Sequence, residues 1–191
     1  LATAWRATER LQDHQTLIVT AGPAFTAKWL APRLYDFAQK HPQIELRFSA
    51  SLRFMDFGRD AIDVAVRFGY ETKEDLYVLP LAEEWVSPVM TPDLVEQFPT
   101  PGDQINAPDA ALSGGGVVLG RRALVVKDSA DGRLAAPYKL ALRTGGRFRF
   151  LCLNGAENRP QIAAFRDWML EEIEKTAHVT DAMDLVPVPS T

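Results

Sequence analysis

Between Thr16 and Phe68 apolar runs of two different periods alternate, and this restricts the fold more than any other feature of the chain. TLIVTA, Thr16 to Ala21, is β-branched and apolar on both faces, as a buried parallel strand must be. Gly22 and Pro23 end it. From Ala24 to Lys40, Phe25, Trp29, Leu30, Leu34, Phe37 and Ala38 share one helical face, with Arg33, Asp36 and Lys40 outside it. Pro32 removes a backbone donor inside that pattern, which predicts a kink or a loosened first turn, and His41 with Pro42 stops the helix. Ile44 to Ala50 and Ile62 to Phe68 read as the second and third strands, and Phe54 to Arg59 has room only for a short helix. Strand, helix, strand, short helix, strand is the opening of a parallel α/β lobe with right-handed crossovers.

After Gly69 the pattern changes. Tyr77 to Met90 is extended, and Pro80 and Pro88 confine it to sheet edges or crossing points, where strands often join two lobes. Thr91 to Phe98 predicts a short helix with Pro92 at its first position. Beyond a proline- and glycine-bearing loop come a scrap of helix at Ala110 to Ser113, a short strand at Val117 to Leu119 and a helix at Arg121 to Val126. Arg133 to Tyr138 and Phe148 to Leu153 read as further strands. Asn158 to Thr176 is the last clear helix, burying Ile162, Phe165, Trp168, Met169 and Ile173. His178 to Thr191, with two prolines and few anchors, reads as a loose tail. At the other end Leu1, Trp5, Thr8 and Leu11 form a helical stripe suited either to a partner helix or to docking on the body.

Several functions find little support. A formal charge of -4 with no basic block argues against nucleic-acid binding by this chain itself. The single cysteine, Cys152, allows no internal disulfide and leaves four-ligand metal sets without a second cysteine, so a reducing cytoplasm is expected and no cofactor or metal is. No apolar run approaches the roughly 18 residues of a membrane span, and the start lacks the zones of a signal peptide. Gly114 to Gly116 follow a helix and precede a strand, with Leu119 where a dinucleotide fingerprint needs its third glycine. A helix cap and turn explain them. His14, His41 and His178 lie beside no nucleophile signature, Cys152 sits in an apolar strand, and Asp60 and Asp63 fit a solvated turn. No catalytic set assembles, so an enzyme is not expected.

One place does look like a site. In an open parallel sheet, ligands sit beyond the carboxyl ends of the strands. That edge holds Ala21 to Thr26 after the first strand, Ser49 to Asp56 after the second and Arg67 to Tyr70 after the third. Amides, a hydroxyl, a carboxylate, a guanidinium and aromatic walls suit a small polar molecule. Individually each residue has a structural explanation as well: Phe25 as core, Arg67 as the partner of a nearby carboxylate.

The string PAFTAKWLAPRLYDFAQKHPQIELRFSASLRFMDFGRDAIDVAVRFG resembles the effector-binding domain of LysR-type transcriptional regulators, in the branch of the glycine-cleavage and β-lactamase (AmpR-like) regulators. The matching pieces are W-L-x-P-R-L-x-x-F, H-P-x-I-x-L, the M-D-F-x-R-D-x-x-D run from Met55 to Asp63, and A-V-R-F-G. The resemblance covers most of Leu17 to Leu170. It implies an α/β fold of two Rossmann-like lobes joined by crossing strands, periplasmic-binding-protein-like of type 2, with a small-molecule effector between the lobes. Residues 14–80 and 143–177 would form lobe I and 81–142 lobe II. Residues 1–13 would end a linker helix, preceded by a winged helix-turn-helix that binds DNA, in a homodimer or homotetramer. By position, the effector contacts fall on Ala24 and Asp56, with Pro23, Phe25 and Arg67 beside them; Ala24 stands where some relatives carry a hydroxyl. Between Asp109 and Ala110 this chain lacks a helix, a strand and the first turns of another helix that the family pattern has, roughly 30 to 40 residues by ordinary element lengths. A missing segment is expected at that join, since a natural deletion would bare an edge strand and apolar surface. The alternative is a free-standing binding protein of the periplasmic type, which shares the two-lobe cleft.

Overall fold

The computed structural model describes residues 16–53, 56–69, 75–97 and 116–187. The chain divides into two compact units, Leu1–Leu81 with Phe148–Glu171 and Ala82–Arg147 with Glu172–Thr191. Two 14-residue strands, β4 (Leu76–Val89) and β6 (Leu140–Leu153), contribute residues to both. The N-terminal stripe, the three glycines' first two members and the Asp109–Ala110 join lie outside the described residues.

In the first unit β1 (Thr16–Ala21) lies between β2 (Glu45–Ala50) and β3 (Val64–Gly69), parallel to both, and β6 follows β3 in the sheet. The register pairs Ala21 with Ala50 on one side and with Val66 on the other, so β1 and β2 end level and β3 runs on three residues to Gly69. One face of β1, Leu17, Val19 and Ala21, is fully buried with Val64 and Val66. The other face carries Ile18 toward a smaller cluster of Phe57, Ile62 and Ala65.

The expected kinked helix is a continuous helical run with three hydrogen-bonding patterns. Helix α1 (Pro23–Phe25) leads into a π-helical stretch, Thr26–Leu30, then a 3-10 turn, Ala31–Arg33, before α2 (Leu34–Lys40). Pro32 offers no N–H, and the wide and tight turns on either side absorb the missing bond. Arg33 is buried there because its Nη1 donates to the Trp29 carbonyl at 2.6 Å and its guanidinium lies 4.7 Å from the Trp29 ring centroid. Trp29, Leu30 and Phe37 face the sheet, where the long helix Pro160–Glu174 supplies Ile162, Phe165, Trp168 and Met169. Of the short helix expected at Phe54 to Arg59, Phe54 and Met55 lie outside the described residues, and Asp56 to Arg59 make turns: the Asp56 carbonyl accepts the N–H groups of Arg59 and Asp60, and its Oδ1 takes that of Gly58.

In the second unit β5 (Val118–Arg121) runs antiparallel to β4, and β4 neighbours β6. Helices α3 (Pro92–Gln97) and α4 (Arg122–Ala130) belong to this unit. Gly120 is demanded by close packing: a Cβ there would stand 2.6 Å from Val125 Cγ1 and 2.9 Å from Val89 Cγ2. Arg133 to Tyr138 is not a strand. Only Ala135 bridges, to Met90; Gly132 is left-handed, Pro137 lacks a donor, and the N–H groups of Arg133 and Leu134 turn back to the Asp128 carbonyl. The tail expected to be loose is ordered through Val186. With Pro160–Glu174 as α5, α6 (Ala177–Asp181) buries Val179, and β7 (Asp184–Val186) pairs parallel with β6 from Leu140 to Leu142. An edge strand needs backbone partners rather than an apolar pattern, and β6 provides them.

Candidate functional site

The carboxyl ends of β1, β2 and β3 bring most of the expected contacts to one edge of the first unit. β1 stops at Gly22, whose extended backbone (φ -64, ψ 144) turns the chain into α1 with Pro23 at its first position. Pro23 and Ala24 are exposed there. Thr26 closes the turn, its backbone N–H and its hydroxyl both donating to the Gly22 carbonyl at 2.9 Å. Phe25 is core rather than wall: it is 4% exposed, stacked 5.0 Å from Trp29 and 4.5 Å from Phe148 between ring centroids. The sequence offered no sign of Phe148 as its partner, because that residue lies far along the chain.

Arg67, one residue beyond the Ala21–Val66 pair, is partly buried. Its Nη1 donates to the Val66 carbonyl at 3.0 Å and its Nη2 to Thr20 Oγ1 at 3.2 Å, Thr20 being fully buried. Burial lowers its pKa, with no neighbouring charge among the causes. Asp56 is exposed on the turn after β2, its carboxylate taking the Gly58 N–H at 2.9 Å and standing 3.8 Å from Arg59 Nε. Asp63, by contrast, is structural: Oδ2 accepts the Ile18 N–H and Oδ1 meets Arg159 Nη1, each at 2.9 Å. Cys152 is buried, and burial first, then the Glu157 carboxylate, pushes its thiol up to about 11, so it is a poor nucleophile near neutral pH.

A second polar cluster, in the other unit, was not legible in the sequence. Glu84 is fully buried on β4; Oε1 accepts the Ala123 N–H at 3.0 Å at the start of α4, while Oε2 has no partner. Desolvation raises its pKa to about 7 against the opposing pull of that N–H, Arg122 and Arg121. Arg122, also buried, donates from Nε to Thr180 Oγ1 at 2.9 Å, and Trp85 Nε1 donates to the same hydroxyl at 3.2 Å. Nothing here pairs a nucleophile with a base, and among the described residues no group of three His, Cys, Asp or Glu could hold a metal ion.

The fold is α/β, of the type 2 periplasmic-binding-protein-like class. The family model of the LysR substrate binding domain matches residues 10–107. The chain belongs to that family, as the effector-binding domain of a LysR-type regulator. It is 28% identical to the glycine cleavage system transcriptional activator of Escherichia coli K12, over 86% of this chain and 68% of that protein. It is 27% identical to the HTH-type transcriptional regulator y4mQ of Sinorhizobium fredii, over 88% of this chain and 71% of that protein. The effector domain of the transcriptional regulator AmpR of Pseudomonas aeruginosa superposes with a TM-score of 0.62 at 25% identity, covering 85% of this chain and 98% of that one. The AmpR effector-binding domain of Citrobacter freundii shares the fold at a TM-score of 0.60 and 19% identity, covering 84% and 99%. No described helix is long and apolar enough to cross a membrane.

Proposed function

We propose that this chain is the sensing part of a cytoplasmic, homo-oligomeric regulator, not an enzyme, and that its small-molecule effector sits at Pro23, Ala24, Asp56 and Arg67. The observation that carries this reading is the edge where β1 and β2 end at the paired Ala21 and Ala50 and the chain turns into α1, leaving Pro23 and Ala24 exposed. Phe25 supports the edge from beneath through Phe148 and Trp29. DNA is reached through a helix-turn-helix encoded upstream of Leu1. The effector acts by binding one arrangement of the regulator better than another, because equal affinity for both shifts nothing.

The alignment to the y4mQ regulator runs over 212 positions, more than the 191 residues of this chain, so that relative carries residues with no counterpart here. That supports a segment missing at the Asp109–Ala110 join. So does the exposure of Val118 (55%) and Leu119 (65%) on β5, which ends the strand order.

The coding sequence upstream of Leu1 tests the regulator reading. A basic winged helix-turn-helix is expected, and a secretory signal peptide in that place would overturn it.

A further inference from the structure

We propose that Glu84 is a proton-operated latch on the C-terminal segment: protonated, it leaves Arg122 on Thr180 with α6 docked, and ionised, it draws Arg122 to itself and loosens α6 and β7. The proposal concerns the second unit alone and does not depend on where the effector binds. Glu84 reaches from β4 to the first turn of α4, where Oε1 accepts the Ala123 N–H at 3.0 Å and Oε2 has no partner. The helix's own N-cap residue, Arg121, makes no side-chain bond to that turn. Arg122 immediately precedes Ala123, so its side chain leaves the backbone beside the N–H that Glu84 holds. Both Glu84 and Arg122 are buried, yet Arg122 donates from Nε to the Thr180 hydroxyl of α6 at 2.9 Å. Trp85, next to Glu84 on β4, donates to the same hydroxyl at 3.2 Å. Thr180 thus ties β4, α4 and α6 together, and the charge of Glu84 decides how firmly Arg122 stays there.

A neutral carboxyl makes little demand on a guanidinium. Once its proton passes to solvent, the buried carboxylate must find a donor for Oε2, because an unpaired charge out of water is costly. A bond with charge on both sides outcompetes one to a neutral hydroxyl. The backbone cannot yield instead, since Thr144 Oγ1 on β6 donates to the Glu84 carbonyl at 3.1 Å. Burial places the carboxyl at about 7, with Arg122 and Arg121 pulling it down, so it is protonated on the acid side of neutrality and ionised on the basic side. The remaining charges around it are turned elsewhere. Arg143 of β6 meets Glu83 and Arg147 is exposed; Lys127 and Asp128 of α4 pair with Asp131 and Arg133; His178 and Asp181 of α6 are exposed. Histidine titrates in the same range, so a Glu84 variant is needed to separate it from the latch.

The test is amide hydrogen exchange by nuclear magnetic resonance on the isotopically labelled 191-residue chain between pH 6 and 8, read as protection factors so that the intrinsic pH dependence of exchange divides out. The N–H groups of Ala182 and Met183 close α6 onto the His178 and Thr180 carbonyls. In wild type their protection should fall roughly tenfold across that range, the worth of one bond to a charged group, and should fall more than that of the β4 and β5 amides. The Trp85 Nε1–H resonance should move with the same midpoint as the Glu84 Cδ carbon. Glu84→Gln should keep α6 protected at pH 8, whereas Thr180→Val should leave it unprotected at both ends. Unchanged α6 protection in wild type, a fully protected α6 in Thr180→Val, or a fall matched across β4 and β5 would overturn the proposal. So would an equal fall in Glu84→Gln, which would assign the pH dependence to His178. If Glu84→Gln does not fold, wild type alone decides: a Glu84 Cδ midpoint apart from that of Trp85 Nε1–H contradicts the latch.

Discussion

Replacing Glu84 with glutamine is expected to change the pH dependence of stability more than any other single substitution in the second unit. The folded-state pKa of about 7 stands above the unfolded value of 4.5, so the folded chain holds a proton that the unfolded chain releases across that window. Stability due to this group is therefore full below about pH 4.5, falls as pH rises toward 7 and is flat above, at about 1.4 kcal/mol per pH unit where it falls. Integrated, the cost of ionising Glu84 is on the order of 3 kcal/mol. A glutamine keeps an oxygen for the Ala123 N–H and never ionises. The difference in unfolding free energy between Glu84→Gln and wild type, from urea denaturation at pH 5, 6, 7 and 8, should thus move in favour of the variant as pH rises and level off near 7. Taking the difference cancels every other titrating group. A pH-independent difference would mean that Glu84 does not titrate in this window.

Trp168→Ala should cost the first unit a large part of its stability, about 3–5 kcal/mol. The indole is 1% exposed, and its ring centroid lies 5.1 Å from Phe37, 5.4 Å from Phe165 and 6.3 Å from Trp29. Its Nε1 also donates to Asp36 Oδ2 at 3.2 Å, tying α5 to α2. Removing the side chain leaves a cavity walled by rigid rings that cannot close over it, and strips Asp36 of one donor. Trp168→Phe keeps most of the volume and should lose only about 1–2 kcal/mol, the indole bond and a residual gap. Urea denaturation followed by far-ultraviolet circular dichroism separates the two; equal losses would show that the bond to Asp36, not packing, is what holds α5.

These two residues differ in how visible they were beforehand. Trp168 lies on a helical stripe with Ile162, Phe165 and Met169, and such a stripe must face a core. Glu84 sits beside Glu83 in an extended run, and only strand parity separates them: Glu83 reaches Arg143 at the surface while Glu84 points inward beneath α4. The parallel opening was legible for the same reason as Trp168, since β1 is apolar on both faces. The apolar pattern of Phe148 to Leu153 predicts six residues for β6, which has 14, because its first half, with Gly145 and Gly146, carries no apolar alternation. Similarly, β7 needed only the edge of β6. At the candidate site, the strand-to-helix turn located Pro23 and Ala24, whereas Phe25 became core through Phe148.

Effector binding at the carboxyl edge of the first unit is tested most directly by a thermal-shift screen of amino acids, short peptides and sugars against wild type and Asp56→Ala. A ligand present at about 100 times its dissociation constant stabilises the folded state by about 2.7 kcal/mol, enough for a clear shift. At least one compound should raise the melting temperature of wild type, and Asp56→Ala should lose most of that ligand-induced rise whatever its own starting stability. Stabilisation by no compound, or an undiminished rise in Asp56→Ala, would contradict the account.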